Sequence, residues 1–184
     1  MRKYHFIRVL SLALFLMCSF SCSSDLNFDQ ANDLKLTPVI EGNLSYFDVP
    51  ATAFVADDGS AYHWDSDDQN FDVFRDKYFN SYLQKADFHF EITNTISRAF
   101  LLSIVLLDDN SNALTTIAFD IPAYSASANN VVTRTEVFEN VRLDLLKRAR
   151  KMRFLVVMKS GTASNQNSTG NLVLRSSATV YLEI

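Results

Sequence analysis

Hydrophobic and polar residues alternate along much of the second half of the chain. The clearest case is the C-terminal segment, 172–184, in which apolar side chains occupy one parity and polar side chains mostly the other. Segments 86–95 and 115–121 show the same period of two, and Pro122 ends the second of them because proline cannot donate to a sheet ladder. This alternation is typical of strands with one buried face and one wet face.

The same pattern predicts further strands at 39–49, 131–138 and 153–159. The polar run 108–112 has turn chemistry, and we expect the segments on either side of it, 99–107 and 114–121, to pair as a hairpin. The segment 161–170 is rich in Ser, Asn and Thr and predicts a loop before the last strand.

One helix is predicted, capped by Asn140 and running over about 141–151 with Leu143 and Leu146 facing inward. A second, short helical turn is expected within 72–83. About seven strands in a body of about 145 residues favour a mainly β fold, an antiparallel β-sandwich of two sheets with one short helix. No internal repeat or second domain is visible.

The start of the chain has the order of a secretory signal peptide. Arg2, Lys3 and Arg8 precede the apolar run 9–20, and the small residue Ser21 follows it. A transmembrane helix is the alternative, but it needs about 20 apolar residues, and no basic stop-transfer cluster follows this run. The chain is therefore predicted to be exported.

Cys22 directly follows Ser21 and precedes a polar, acidic stretch, whereas Cys18 would leave with the signal. Here the chain resembles bacterial lipoproteins of the Bacteroidota type, although the preceding Ser19-Phe20-Ser21 fits their box only at its last position. The resemblance implies that Cys22 carries lipid, palmitate included, and anchors the chain in the outer membrane, facing the periplasm or the cell surface. Cleavage by an ordinary signal peptidase, with Cys22 as a free thiol, is the alternative.

Three segments are then expected: a signal peptide at 1–21, a lipidated N-terminus and tether at 22–33, and a single β-sandwich domain at 34–184. The mature chain would hold one cysteine, so it could form no internal disulfide. Removing residues 1–21, which hold three basic and no acidic residues, takes the net charge from −4 to −7. Two or more acyl chains give stable anchoring, and the negative charge disfavours a nucleic-acid partner.

A second resemblance covers residues 86–184. The run Phe88–Asn94, a hairpin, the strand ending at Ile121-Pro122-Ala123 and the helix with Leu143-Asp144-Leu145-Leu146 are similar to the late-embryogenesis-abundant (WHy-type) sandwich. In that family a strand ends at Asn-Pro-Asn, whereas Asn94 is followed here by Thr95. The resemblance implies an immunoglobulin-like sandwich without an active site.

The residues themselves also disfavour an enzyme with a cofactor. Only His63 and His89 would remain after export, and the parity of its strand places His89 on a wet face. His63 lies beside an acidic loop and is more simply a structural partner of an aspartate. The chain contains none of the motifs for a nucleophile elbow, a dinucleotide fold or a zinc protease. With four glycines, it has little material for phosphate-binding loops.

The acidic loop contains weak calcium candidates. In an EF-hand frame that begins at Asp65, Asp67 takes position three and Asp76 takes position twelve. Asn70 stands where that loop needs glycine, and the closing residue is aspartate instead of glutamate. A solvated loop without metal is therefore favoured.

Two surface features remain open to interpretation. Basic residues crowd the predicted helix and its end, 142–153, and we interpret them as a solvated face instead of a docking patch for anions. The segment 99–107 is apolar on both faces, since Leu101, Val105 and Leu107 oppose the inward set. Coverage by this chain's own aromatic-rich segments, 44–54 or 71–82, is favoured over an exposed patch that docks a partner.

These observations predict a non-enzymatic, membrane-anchored interaction or assembly module that meets a protein partner in the cell envelope. The alternative is a surface lipoprotein that binds a small molecule or glycan, with Tyr62 and Trp64 stacking on a sugar. A hydrolase is disfavoured because no credible general base is present.

Overall fold

Two antiparallel sheets carry the fold in the computed structural model, which describes residues 4–5, 35–55, 64–65, 68–126, 130–159 and 165–184. The first sheet has the strand order β1 (Val39–Pro50), β9 (Asn171–Leu182), β4 (Leu83–Asn94) and β7 (Val131–Phe138). The second sheet has the order β6 (Ala113–Ile121), β5 (Phe100–Leu107) and β8 (Lys151–Met158), and two-residue strands β2 (Trp64–Asp65) and β3 (Gln69–Asn70) both pair with β8.

The described residues also form short helical elements. They are 3-10 helices at Ala51–Phe54 and Asp72–Arg75, helix α1 at Lys77–Tyr82 and helix α2 at Asn140–Arg148. Residues 36–184 form one compact unit that holds both sheets. Residues 1–35 form a second unit, in which Tyr4 and His5 are helical.

The core lies between the inner faces of the two sheets, where the sequence alternation placed its apolar residues. Phe88, Phe90 and Ile92 of β4 are fully buried. The ring of Phe90 lies 5.4 Å from that of Phe119 on β6, so the aromatic side chains bridge the two sheets. The predicted class, a mainly β antiparallel sandwich with one short helix, is confirmed.

The predicted hairpin is also confirmed. β5 pairs with β6 in a register that sets Leu101 opposite Asp120 and Ile104 opposite Ile117. Asp108 closes the turn, since its carboxylate accepts hydrogen bonds from the backbone N–H groups of Asn110 at 2.8 Å and Asn112 at 2.9 Å. The sequence had marked this run as a turn from its Asp and Asn content alone.

The ends of the long helix differ from the prediction. The N-cap residue is Glu139 instead of Asn140, which is the first helical residue and has a left-handed φ of 51°. The helix ends at Arg148 because the backbone N–H of Arg150 already donates to the carbonyl of Leu107, at 2.8 Å, as the chain enters β8. Sheet pairing therefore shortens the helix, while Leu143 and Leu146 are buried as predicted.

Candidate functional site

Several sequence-predicted site residues lie outside the part of the chain that the structure describes. They are the proposed lipidation residue Cys22, the stacking candidate Tyr62, the acidic residue Asp67 and the histidine His63. Of Trp64 and Asp65, the structure describes the backbone, which pairs in β2 with Val156 and Leu155 of β8. Glycan stacking and lipidation therefore stay predictions.

Asp76 has a local structural role. Its Oδ1 accepts a hydrogen bond of 2.8 Å from the backbone N–H of Phe79, which makes it the N-cap of α1. Among the residues described, no group of three or more His, Cys, Asp or Glu side chains could hold a metal ion. The cap explains an aspartate here without any metal.

His89 lies on the exposed outer face of the first sheet, as its strand parity predicted. Its Nδ1 is 3.1 Å from Oγ1 of Thr135 on the neighbouring strand. On the same face, a guanidinium nitrogen of Arg175 lies 3.7 Å from a carboxylate oxygen of Glu91. This face is polar and paired across its strands, which fits a solvated surface.

A hydrogen-bonded triad joins β4 to β9 on that same outer face. The hydroxyl of Tyr181 donates to Oδ2 of Asp87 at 3.1 Å, and Nζ of Lys85 lies 3.1 Å from the same oxygen. The Asp87 carboxylate raises the pKa of both Lys85 and Tyr181 above their ordinary values, chiefly through these hydrogen bonds. Both groups are held more firmly in their protonated forms, which makes them poor general bases.

The basic residues around α2 are largely paired within the chain. Arg142 donates to Glu136 at 2.6 Å, and Arg150 donates to the backbone carbonyl of Lys147 at 2.8 Å. Lys151 donates to the hydroxyl of Ser111 at 2.9 Å, so its ammonium group is also engaged. These contacts support the interpretation of a solvated structural face, since these three side chains already have hydrogen-bond partners within the chain.

The apolar second face of β5 is only partly covered. Leu107 is buried, as expected if this chain's own segments cover the face. Leu101, however, is 36% exposed and Val105 is half-buried. The aromatic segment that was expected to cover this face packs elsewhere, since the ring of Phe71 lies 6.0 Å from that of Phe88 in the core. The expectation that segment 44–54 or 71–82 covers this face is therefore wrong for Leu101, which is 36% exposed.

We call the resulting surface the β5–β8 strip, defined by Leu101, Val105, Leu155 and Val157. The register sets Leu101 of β5 directly opposite Val157 of β8. Leu155 of β8 is the diagonal neighbour of both Leu101 and Val105. Leu155 and Val157 are half-buried on the outward parity of β8. The strip is thus an aliphatic surface on the outer face of the second sheet, with Ser103 standing opposite Leu155 at its middle.

Ion pairs border the strip at both ends. At one end, Nζ of Lys159 lies 2.6 Å from Oδ2 of Asp120, the cross-strand neighbour of Leu101. At the other end, Nε of Arg153 donates to Oδ1 of Asp68 at 2.7 Å. The Arg153 hydrogen bond lowers the pKa of the Asp68 carboxyl below its usual range, so this border stays charged at neutral pH.

An apolar pocket lies on the inner side of the first sheet, where β1 and β9 meet the segment that leads into α1. It has a volume of about 160 Å³, and Gly42 and Ala178 form one wall of it. Sequence reasoning missed this pocket. The available signal was a pair of small residues at inward strand positions, but which side chains face them depends on the tertiary structure.

No protein-family model and no curated protein matches the chain. The solved structures similar to it include the VP2 subviral particle of infectious bursal disease virus, with a TM-score of 0.45 and 9% identity over 79% of this chain and 32% of that one. A protein of Parabacteroides distasonis that is predicted to be secreted has a TM-score of 0.38 and 13% identity over 79% of this chain and 38% of that one. Desmodium yellow mottle tymovirus has a TM-score of 0.33 and 9% identity over 81% of this chain and 90% of that one.

This chain spans about a third of the length of the viral VP2 chain. With TM-scores below 0.5, these likenesses carry no argument about function, and the fold class rests on the two sheets themselves. Within the described part of the chain, no helix has the length and apolar character needed to span a membrane.

Proposed function

We propose that this protein is a non-enzymatic module of the bacterial cell envelope, anchored by lipid at Cys22, that binds a protein partner through the β5–β8 strip. The observation that carries the proposal is the strip itself. Aliphatic side chains form its centre, with Leu101 36% exposed, and the pairs Lys159–Asp120 and Arg153–Asp68 form its border. An apolar centre with few charges inside a polar rim is the usual layout of a protein interface.

The central strands of the opposite outer face lack this layout, and the exposed Val131 and Val137 of that face stand on its edge strand β7. There the central strands β4 and β9 present His89, Glu91 and Arg175, which are polar and paired. The difference between the two faces supports the second sheet as the side that meets a partner. An apolar strand face left open to water would otherwise be a liability for solubility.

Among the described residues, the groups with a shifted pKa are not suited to acid–base chemistry, in keeping with the proposed role. The pKa values of Asp68 and Asp108 are lowered, and those of Lys85 and Tyr181 are raised. Each shift holds the group more firmly in the form that it already takes at neutral pH. Catalytic acids and bases need the reverse, a pKa moved toward the working pH.

Membrane anchoring is tested by fractionating cells that express the wild type or Cys22→Ser. We expect the wild type in the outer membrane and the variant in the soluble fraction, because two or more acyl chains supply stable attachment. Protease treatment of intact cells then separates surface display, in which the wild-type signal is lost, from a periplasmic orientation. Identical fractionation of both forms as soluble protein would exclude the lipid anchor.

Partner binding is tested with a matched pair of variants, Leu101→Lys and Val137→Lys. Both residues lie on outer strand faces with similar exposure, 36% and 38%, and both stand opposite an aspartate, Asp120 and Asp87 respectively. A photo-cross-linking residue at each position in intact cells identifies the neighbouring protein, and the purified pair is then titrated.

We expect cross-linking at position 101 and loss of affinity in Leu101→Lys, with Val137→Lys binding like the wild type. Equal loss in both variants, or no complex with the purified protein, would argue against the strip as the interface.

A further inference from the structure

The apolar pocket beside β1 is open to solvent at one side and walled by carbon on the others. Gly42 and Ala178 form its strand wall, and Phe71, Phe74 and Phe88 form its floor. Phe74 and Phe88 are almost fully buried, whereas the rim residues Ile40 and Val73 are 47% and 57% exposed. The pocket therefore connects the hydrophobic core with the surface.

The pocket exists because two small residues face each other at inward positions of neighbouring strands. Gly42 of β1 pairs with Ala178 of β9, and Ala178 pairs in turn with Phe88 of β4. A Cβ atom built on Gly42 would have no other atom within 4 Å, apart from its own chain neighbours. A larger side chain at this position of the row would therefore extend into unoccupied space.

The floor of the pocket is held in place by contacts that do not depend on a ligand. The ring centroids of Phe71 and Phe74 are 5.2 Å apart, and those of Phe71 and Phe88 are 6.0 Å apart. The side-chain amide of Asn80 donates to the backbone carbonyl of Phe74 at 2.9 Å, which fixes the segment that carries these rings. A pocket with fixed walls loses little conformational entropy on binding.

The lining chemistry selects the ligand. Its inward side chains are aliphatic or aromatic, and none of them is charged. Asn43 also borders the pocket, but it pairs with Ser177 and so belongs to the outward parity of β1. A volume of about 160 Å³ is close to that of the engineered protein cavity of about 150 Å³ that binds benzene. The pocket thus has room for one ring or a short alkyl chain.

We infer that this pocket binds a small molecule through an apolar group of about six carbons, an aromatic ring or an alkyl chain, while the polar remainder of the ligand stays in water outside the exposed rim formed by Ile40 and Val73. This inference goes beyond the proposed interaction through the β5–β8 strip. It uses the other sheet and does not depend on a lipid anchor.

The test is saturation-transfer NMR on the full chain, kept in solution by an amphiphilic polymer, with benzyl alcohol and hexan-1-ol as probes. Gly42→Leu fills the pocket from its strand wall, and Val73→Asp places a charge at its exposed rim. Glu41→Leu is the matched control, because Glu41 is the neighbour of Gly42 on the same strand and pairs with Thr179 on the outer face.

We expect both probes to bind the wild type and Glu41→Leu, and affinity to fall by about tenfold or more in Gly42→Leu and Val73→Asp. Because Val73 is exposed, Val73→Asp keeps the test decisive if Gly42→Leu does not fold. Failure of both probes to bind the wild type, or equal binding to the wild type and Val73→Asp, would overturn the inference.

A series from hexan-1-ol to decan-1-ol separates two sources of the same chemistry. Affinity that keeps rising with chain length, and that Val73→Asp abolishes, identifies a lipid acyl chain whose further methylenes also leave water against apolar protein surface. Affinity that levels off at about six carbons identifies a compact small molecule, since further methylenes would stay in water.

Discussion

The side-chain amide of Asn94 donates a hydrogen bond of 2.7 Å to the backbone carbonyl of Pro122, where a strand of each sheet ends. Its other N–H donates to the carbonyl of Arg98 at 2.8 Å, and its Oδ1 accepts from the backbone N–H of Ile96 at 2.9 Å. Asn94 is fully buried, and it is the one buried polar residue among those described. One side chain thus ties the exit of β4 to the exit of β6.

Replacing Asn94 by Leu should destabilise the sandwich by about 3 kcal/mol, because two carbonyls and one N–H lose their partner in a buried site. Urea unfolding followed by circular dichroism measures the change. Asn110→Ala, at an exposed position of the β5–β6 turn, is the control and should change stability by less than about 0.5 kcal/mol. A loss below about 1 kcal/mol in Asn94→Leu would show that water replaces these hydrogen bonds.

Gly42 of β1 and Gly170, which directly precedes β9, should respond oppositely to alanine. Gly170 has a φ of 100°, and a Cβ there would lie 2.2 Å from the backbone oxygen of Thr95, so Gly170→Ala should cost about 3 kcal/mol or more. Gly42 has open space around its Cβ position, so Gly42→Ala should leave stability unchanged or raise it by about 0.5 kcal/mol. Thermal melts of the two variants compare them directly, and similar melting temperatures would contradict the packing described.

The Asp76 cap should contribute to stability with or without calcium. Asp76→Ala removes the acceptor for the N–H of Phe79 and should lower the free energy of unfolding by about 1 kcal/mol. Asp76→Ser should keep most of the stability, because its hydroxyl can also cap the helix. Urea midpoints are measured with calcium and with a chelator. A loss that appears only in the presence of calcium would instead make Asp76 a metal ligand.

The Asp108 turn should weaken in acid. The side chain of Asn112 and the backbone N–H groups of Asn112 and Asn110 lower the pKa of the Asp108 carboxyl from its ordinary 3.8. A carboxyl with a lower pKa in the folded state stabilises the fold fully above the unfolded pKa, at about pH 4, and this contribution is lost as the pH falls through the folded pKa.

The difference in urea midpoint between the wild type and Asp108→Asn should therefore be constant from pH 7 to about pH 5 and shrink below about pH 4. Asn110→Ala, in the same turn, is the control, because this variant keeps the titrating Asp108 carboxyl. A difference that persists unchanged at pH 2 would mean that hydrogen-bond geometry, and not charge, makes Asp108 stabilising.

The strands were predictable because their alternation has a local cause. In a strand with one buried face, an apolar residue must recur at every second position. The predicted strand 131–138 matches β7 (Val131–Phe138) at both ends. Helix ends were less predictable, since Asn140 has the chemistry of a cap but Glu139 occupies the cap position. At the other end, the entry of the chain into β8 stops the helix at Arg148 instead of 151.

The candidate surfaces were predictable only in part. The sequence showed that Leu101 belongs to a strand that is apolar on both faces, but whether another segment covers it was open. The aromatic residues expected to cover Leu101 pack instead in the core and the pocket floor, where Phe71 lies against Phe88. The pocket itself follows from the pairing of Gly42 with Ala178, two residues far apart in the chain.

By itself, the sequence determined which residues face inward along each strand, where the β5–β6 hairpin turns and which side of α2 is buried. The tertiary structure decided that β9 lies between β1 and β4, while β8 joins the other sheet. The physical reason is that successive side chains of a strand point to opposite faces, so a buried face gives a period of two in the sequence whichever strand pairs with it. The identity of the neighbour, and the space left between two small side chains, depend on pairing between residues distant in sequence.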